Sequence, residues 1–224
     1  MRLGFAMVSA MLLLAPDAKA QIAPSTAEVA AYTGLHAASV AGEAGAARAA
    51  AGNATLLDAR DSHGRTALHV AAYHRRHDVM RALVKAGADA NALDSQDYDI
   101  VTIAAVADDV ETMKVALEIG CLPGNVTSPW KGTALIAAAH LGHEEVVRML
   151  IESGAPLDHV NTLQWTALIE SVVLGDGGKR HQDTARYLVA AGANAALADR
   201  EGKTPLDLAK ERGYEAMAEI IAGR

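Results

Sequence analysis

The sequence predicts an all-α solenoid of about six repeats, caps included, and three observations carry that expectation. A short phrase recurs as Thr66-Ala67-Leu68-His69, Thr133-Ala134-Leu135-Ile136, Thr166-Ala167-Leu168-Ile169 and Thr204-Pro205-Leu206-Asp207. A weaker copy stands at Thr33-Gly34-Leu35-His36, and Asp99-Ile100-Val101-Thr102 fills the remaining place. The starts at 33, 66, 99, 133, 166 and 204 are separated by 33, 33, 34, 33 and 38 residues, and self-similarity at such a step is the signature of stacked repeats. Within a period, two short apolar patterns follow helical spacing, as Leu68, Ala71 and Ala72 and then Val79, Leu83 and Val84 illustrate. Finally, a chain that is 51% hydrophobic but only 4% aromatic has a core of Ala, Leu and Val, which lets helices pack closely in layers. A single Phe, Phe5, argues against a large aromatic pocket.

In chain order, residues 1–20 read as an export signal. Arg2 gives a positive start, Phe5 to Ala15 an apolar run, and Ala18-Lys19-Ala20 a small-x-small cleavage pattern, so the mature chain is expected to begin at Gln21. The run is too short to span a bilayer comfortably, and no later stretch reaches the roughly 18 apolar residues of a spanning helix. The expected location is periplasmic or secreted, off the membrane once the signal is removed. Removal takes Arg2, Lys19 and Asp17, leaving 20 − 2 = 18 basic and 27 − 1 = 26 acidic residues, a formal charge of −8. Such a balance argues against nucleic acid and anionic lipid as partners. Cys121 is alone and forms no internal disulfide; a buried small hydrophobe at a helix end is its simplest reading, a reactive thiol or metal ligand the sharper one.

A short segment, 21–27, leads into repeats near 28–60, 61–93, 94–127, 128–160, 161–198 and 199–223. The first is degenerate, because Ala46 to Ala51 replace larger apolar residues, which suits a terminal cap with one neighbour to cover. In the second, Asp61-Ser62-His63-Gly64 reads as a turn, Thr66 as a helix N-cap and Gly87 as a helix end. The third departs most, with Asp99 for the leading Thr and Asp108-Asp109 where Gly-His stands in the fourth as Gly142-His143. Residues 99–120 are therefore expected to be the weak link of the stack. The fifth carries a five-residue insertion within Leu174 to Gln182, which joins a Gly cluster and Asp176 to Lys179, Arg180 and His181. That local basic spot suits an anion or acidic partner, or else a solvated loop that tolerated extra length. Glu170, in the helix just before it, is expected to hydrogen-bond into the insertion and order it.

These motifs resemble the ankyrin repeat across residues 28–223: the Thr-x-Leu-His start, the period, and the finishes Gly87-Ala88-Asp89, Gly154-Ala155-Pro156 and Gly192-Ala193-Asn194. The resemblance implies helix-turn-helix units joined by β-hairpin-like turns, with the turns projecting as fingers and the first helices lining a concave face. It also implies a monomeric, non-catalytic protein-binding module without cofactor. Carried over by position, the finger residues are Ser62, His63 and Arg65; Gln96 and Tyr98; Pro129, Trp130 and Lys131; Gln164 and Trp165; Glu201 and Lys203. The candidate partner-binding set is His63, Arg65, Tyr98, Trp130, Lys131 and Trp165, with Asp176, Lys179, Arg180 and His181 of the insertion. Trp130 and Trp165 are expected side by side on adjoining fingers as a hot spot, or else each folds down as ordinary packing. Exported bacterial proteins of this look point to an oxidative-stress enzyme, such as a catalase, as the supported partner.

An alternative is a small-ligand or metal carrier built on His-rich helices and the 175–182 insertion. Against it, His36, His69 and His143 occupy places where the family uses His for structural hydrogen bonds, and no Cys or carboxylate completes a tetrahedral set beside His74 and His77 or His140 and His143. Catalytic signatures fail when tested. Gly202-Lys203-Thr204 has Leu197 where a phosphate loop needs Gly, Gly175-Asp176-Gly177 has Arg180 where a dinucleotide fingerprint needs its third Gly, and His143-Glu144-Glu145 has Val147 where a zincin needs its second His.

Overall fold

The structure, a computed structural model, describes residues 21–223; the expected export signal lies outside the described residues. The described residues form fourteen α-helices. Two lead in, α1 (Thr26–Ala31) and α2 (Gly34–Ala41), followed by α3 (Ala44–Ala49) and the single turn α4 (Ala54–Leu57). The pairs α5 (Ala67–Tyr73) with α6 (His77–Ala86), α7 (Ile100–Val106) with α8 (Val110–Glu118), and α9 (Ala134–Leu141) with α10 (Glu144–Glu152) come next. The last are α11 (Ala167–Val173) with α12 (Lys179–Ala190) and α13 (Pro205–Glu211) with α14 (Glu215–Ile221).

The recurring phrase marks helix starts. Thr33, Thr66, Asp99, Thr133, Thr166 and Thr204 are the N-caps of α2, α5, α7, α9, α11 and α13. Thr and Asp suit that place because a short oxygen-bearing side chain accepts from an N–H that has no partner within the helix. Asp99 Oδ1 does so from Thr102 N at 2.8 Å and Thr166 Oγ1 from Ile169 N at 3.3 Å. Nine residues after the cap the chain must turn with positive φ, at Gly42, Arg75, Asp108, Gly142 and Gly213. Arg75 and Asp108 adopt there a conformation that favours Gly.

First helices stack on first helices in the order α2, α5, α7, α9, α11, α13, and second helices on second helices from α3 through α14. Close approach is set by a column of small residues five places after each cap: Ala38, Ala71, Ala104, Ala138, Ser171 and Ala209, all buried. Ser171 satisfies its own hydroxyl by donating to Leu168 O at 2.8 Å. Between the layers lie Leu68, Met80, Leu83, Ile100, Met113, Leu135, Leu150, Leu168 and Leu188, each under 2% exposed. Such a side chain contributes about 1.5–3 kcal/mol on burial, and because most contacts join neighbouring units, stability is shared among nearest-neighbour interfaces.

The fingers are hairpin turns closed by Asp61 N to Arg65 O, Asp94 N to Tyr98 O, Thr127 N to Gly132 O, Asn161 N to Trp165 O and Asp199 N to Lys203 O. In four of them the leading Asp or Asn side chain also accepts two backbone N–H groups of its own turn, as Asp94 Oδ1 does from Gln96 and Tyr98. Finger ties to finger through Ser95 N to His63 O, Ser128 N to Asp97 O and Thr162 N to Trp130 O.

The third repeat, expected to be weakest, is braced by charges that sequence spacing did not reveal. Asp99 is 1% exposed and takes donors from Thr102 N, Thr102 Oγ1 and Asn125 Nδ2. Asp109 caps α8 through Thr112 N at 3.0 Å and pairs with Arg75 at 2.7 Å. Asp108 pairs with Arg180 of the fifth repeat at 2.6 Å.

Candidate functional site

The residue just before each N-cap forms a second column along the fingers: Tyr32, Arg65, Tyr98, Gly132, Trp165 and Lys203. Most of it turns inward. Arg65 is fully buried, its guanidinium held by Asp61 at 2.7 Å, by Glu28, and by Ile22 O at 3.0 Å, and Tyr32 Oη donates to Asp61 at 2.7 Å. Those donors hold the Asp61 carboxyl down at about 2 despite its burial, and Ser25 and Arg65 do the same for Glu28. Tyr98 and Trp165 are 8% and 9% exposed. The exposure that a contact role for Arg65, Tyr98 and Trp165 needs is therefore small: their backbones close the turns and their side chains pack beneath.

Trp130 and Trp165 are not equivalent. The finger at 127–132 is one residue longer than its neighbours, as the 34-residue step requires, so Gly132 and not Trp130 matches Trp165. Trp130 sits half-buried at the tip beside exposed Lys131, whose Nζ reaches Asp97 at 3.0 Å. His63 is 46% exposed and pairs with Glu28 at 2.8 Å.

With a glycine in the column where its neighbours carry rings, a groove of about 360 Å³ opens over the fingers of the third to fifth repeats and α7, α9 and α11. Tyr98, Trp130, Gly132, Ile136 and Leu174 give it apolar walls, and His140, Asn161 and Glu170 lie along it. The Thr102, Thr127 and Thr133 hydroxyls that face it serve the caps and one another.

Contrary to the expectation from sequence, Glu170 does not hydrogen-bond into the insertion. Its Oε1 accepts from Asn161 Nδ2 at 2.8 Å and its Oε2 lies 3.5 Å from His140 Nδ1, while burial pushes its carboxyl up to about 7. Burial, with His181 and His143 nearby, lowers the His140 pKa in turn. Sequence reasoning missed Glu170 as a groove residue, although a signal was present. Its counterparts four places after the other caps are Ala37, Val70, Ile103, Ala137 and Leu208, all apolar.

The insertion is ordered by other means. Asp176 Oδ1 accepts from Gly178 N and meets His181 Nδ1, both at 2.8 Å; His181 Nε2 faces His140 O at 3.0 Å; Tyr214 Oη donates to Gly175 O at 3.1 Å. Its basic residues are largely spent inside the chain. Lys179 pairs with Asp183, Arg180 bridges Asp108 and Glu144, and His181 is buried. The exposed acid there is Asp176, its pKa lowered by the Gly178 N–H and His181.

The histidines set against the carrier reading have structural partners: His36 meets Arg65 O at 2.9 Å, His69 meets Tyr98 O at 3.1 Å and His143 meets Ala105 O at 2.8 Å. Among the described residues, Glu28, Asp61 and His63 come close enough together to hold a metal, but the Arg65 guanidinium already supplies the positive charge there. Cys121 is 4% exposed, donates to Ala90 O at 3.2 Å, and burial pushes its thiol up to about 12.

The family model described as ankyrin repeats, in three copies, matches residues 7–94 and 101–199. The ankyrin repeat protein YahD of Escherichia coli (strain K12) is 32% identical over 166 residues, 72% of this chain and 80% of that one. A solved ankyrin repeat domain from Acinetobacter baumannii AYE superposes with a TM-score of 0.76 at 37% identity, over 84% of this chain and 96% of the other. The solved ankyrin repeat protein EF0377 gives 0.75 at 29% identity, over 85% and 98%.

Proposed function

We infer the function from one premise, that the chain belongs to the ankyrin repeat family, whose repeats form protein-binding modules. The proposal is a non-catalytic module that holds a protein partner on its fingers and first-helix face. The observation that carries it is the groove over three fingers, bordered by half-buried Trp130 at a finger tip, a residue type over-represented among those that dominate interface energy. Of the sequence candidates, His63, Trp130, Lys131, Asp176, Lys179 and Arg180 keep enough exposure to touch a partner directly.

The finer reading places this module in the periplasm or outside the cell and gives it an oxidative-stress enzyme, such as a catalase, to support. The leader-like residues 1–20 support the location, and the resemblance to exported bacterial ankyrin proteins supports the partner. The test is affinity capture from the periplasmic fraction with the wild-type chain and with Trp130→Ala. The expected result is an enzyme retained by the first and depleted with the second, with catalase activity assayed in the eluate. Equal retention by both would remove Trp130 from the interface, and recovery of the chain only in the cytosol would overturn the location.

A further inference from the structure

We propose that the groove over the fingers of the third to fifth repeats is a cation-accepting subsite, and that its occupant is a Lys or Arg side chain presented by the protein partner, with its ammonium or guanidinium group against the Glu170 carboxylate. The inference rests on the interaction reading above and specifies the chemistry of the partner.

Four observations converge. Glu170 is 5% exposed in the wall of an open groove, and its two neighbours there are a neutral amide and a histidine. Other buried acids of the chain are better served: Asp61 has Arg65 and Tyr32, and Asp99 has three donors. Burying a carboxylate with so little compensation is costly, and a cation delivered into the groove would remove that cost. Gly132 makes the room. A Cβ built there would make ordinary van der Waals contact with Ile136 and Ser128 at 3.7 Å and the backbone is not left-handed, so what the glycine provides is the absence of a large side chain and not a special conformation.

Trp130 and Tyr98 supply apolar and aromatic surface for the stem and charge of a long basic side chain. A nitrogen donor of the chain's own already lines the groove: Gln21 Nε2 is buried with no hydrogen-bond partner among the described residues. An uncharged amide held without a bond is a poor occupant, which a cation can displace. Formal charge agrees, since a chain of net −7 attracts a basic partner.

The probes are the tripeptides acetyl-Ala-Lys-Ala-amide and acetyl-Ala-Arg-Ala-amide, their norleucine analogue, and n-butylammonium chloride, titrated at constant ionic strength into the full chain and followed by backbone amide NMR. The expected result is saturable shifts around Thr133, Ile136 and Glu170, with Lys and Arg peptides binding at least about tenfold more tightly than norleucine. Glu170→Gln should abolish that preference, Gly132→Trp should block all three peptides, and Glu111→Gln, an exposed acid outside the groove, should change nothing.

No preference over norleucine, or a preference that survives Glu170→Gln, overturns the proposal. Equal affinity for n-butylammonium and the tripeptides overturns the partner side chain as source and leaves a free amine. Should Gly132→Trp fail to fold, the near-isosteric Glu170→Gln decides alone. A partner still captured by Glu170→Gln leaves the interaction reading standing and removes this one.

Discussion

Arg180 Nη2 lies 2.6 Å from Asp108 Oδ2 across 72 residues of sequence, while its Nε lies 2.6 Å from Glu144 Oε2, so one side chain of the fifth repeat bridges the third and fourth. Both ends of the long bridge are partly exposed, at 51% and 34%, and such pairs are worth about 0.2–1 kcal/mol. Arg180→Ala should lower stability by that amount and speed hydrogen exchange at the start of α8. Asp108→Gly should be nearly neutral, because relief of the roughly 1–2 kcal/mol cost of a left-handed residue at a φ of 52°, reduced by the roughly 0.5–1 kcal/mol of extra entropy that Gly loses on folding, offsets loss of the pair. Urea unfolding of both variants checks this; equal destabilisation would mean that the left-handed turn at Asp108 carries no cost.

The two tryptophans should part company on truncation. Trp165 is packed in the core at 9% exposure, and Trp165→Ala should cost about 3–5 kcal/mol with a lower urea midpoint. Trp130 is half-buried on a finger tip, so Trp130→Ala should cost under about 1.5 kcal/mol and keep a cooperative transition. Similar losses for both would place Trp130 in the core as well.

The contrast between these residues shows where sequence stops being legible. Helix starts were readable because Thr or Asp at an N-cap answers a local need, an N–H without a partner. The side-chain direction of a finger residue is set by turn length, and one extra residue at 127–132 moves Trp130 out of the column that holds Trp165. Glu170 was visible as an acid, yet its environment depends on Asn161 in its own repeat and on His140 and the missing side chain of Gly132 in the repeat before it. Charge braces such as Arg180 with Asp108 are invisible for the same reason: neither residue breaks a local rule that names the other.

Glycines of the first and fifth repeats should respond to alanine with opposite sign. A Cβ at Gly175 would lie 2.1 Å from Ser171 O and 2.7 Å from His181 Cδ2, so Gly175→Ala must displace the insertion and should cost about 1–3 kcal/mol. Gly45 lies inside α3, and its Cβ would meet only the end of Arg48 at 4.0 Å. Gly45→Ala should therefore stabilise by about 0.5–1 kcal/mol. Thermal melts of the two variants separate the cases, and a neutral Gly175→Ala would show that the insertion is pliable.

Glu170 makes stability depend on pH in a direction opposite to that of most paired acids. Its carboxyl titrates at about 7 when folded against an ordinary 4.5, with burial as the cause, so between those values the folded chain binds a proton that the unfolded chain has released. Stability from this group is thus complete below pH 4.5 and is lost as pH rises through 7. His140 does not offset the loss, because burial disfavours its charged form. Glu170→Gln keeps an acceptor for Asn161 and has no proton to lose. Its advantage over wild type should grow from near zero at pH 4 to no more than about 3 kcal/mol at pH 8, at roughly 1.36 kcal/mol per unit of pKa. Urea unfolding of both chains across that range reads the difference directly, and a gap that stays constant with pH would show that Glu170 is ionised in the folded groove.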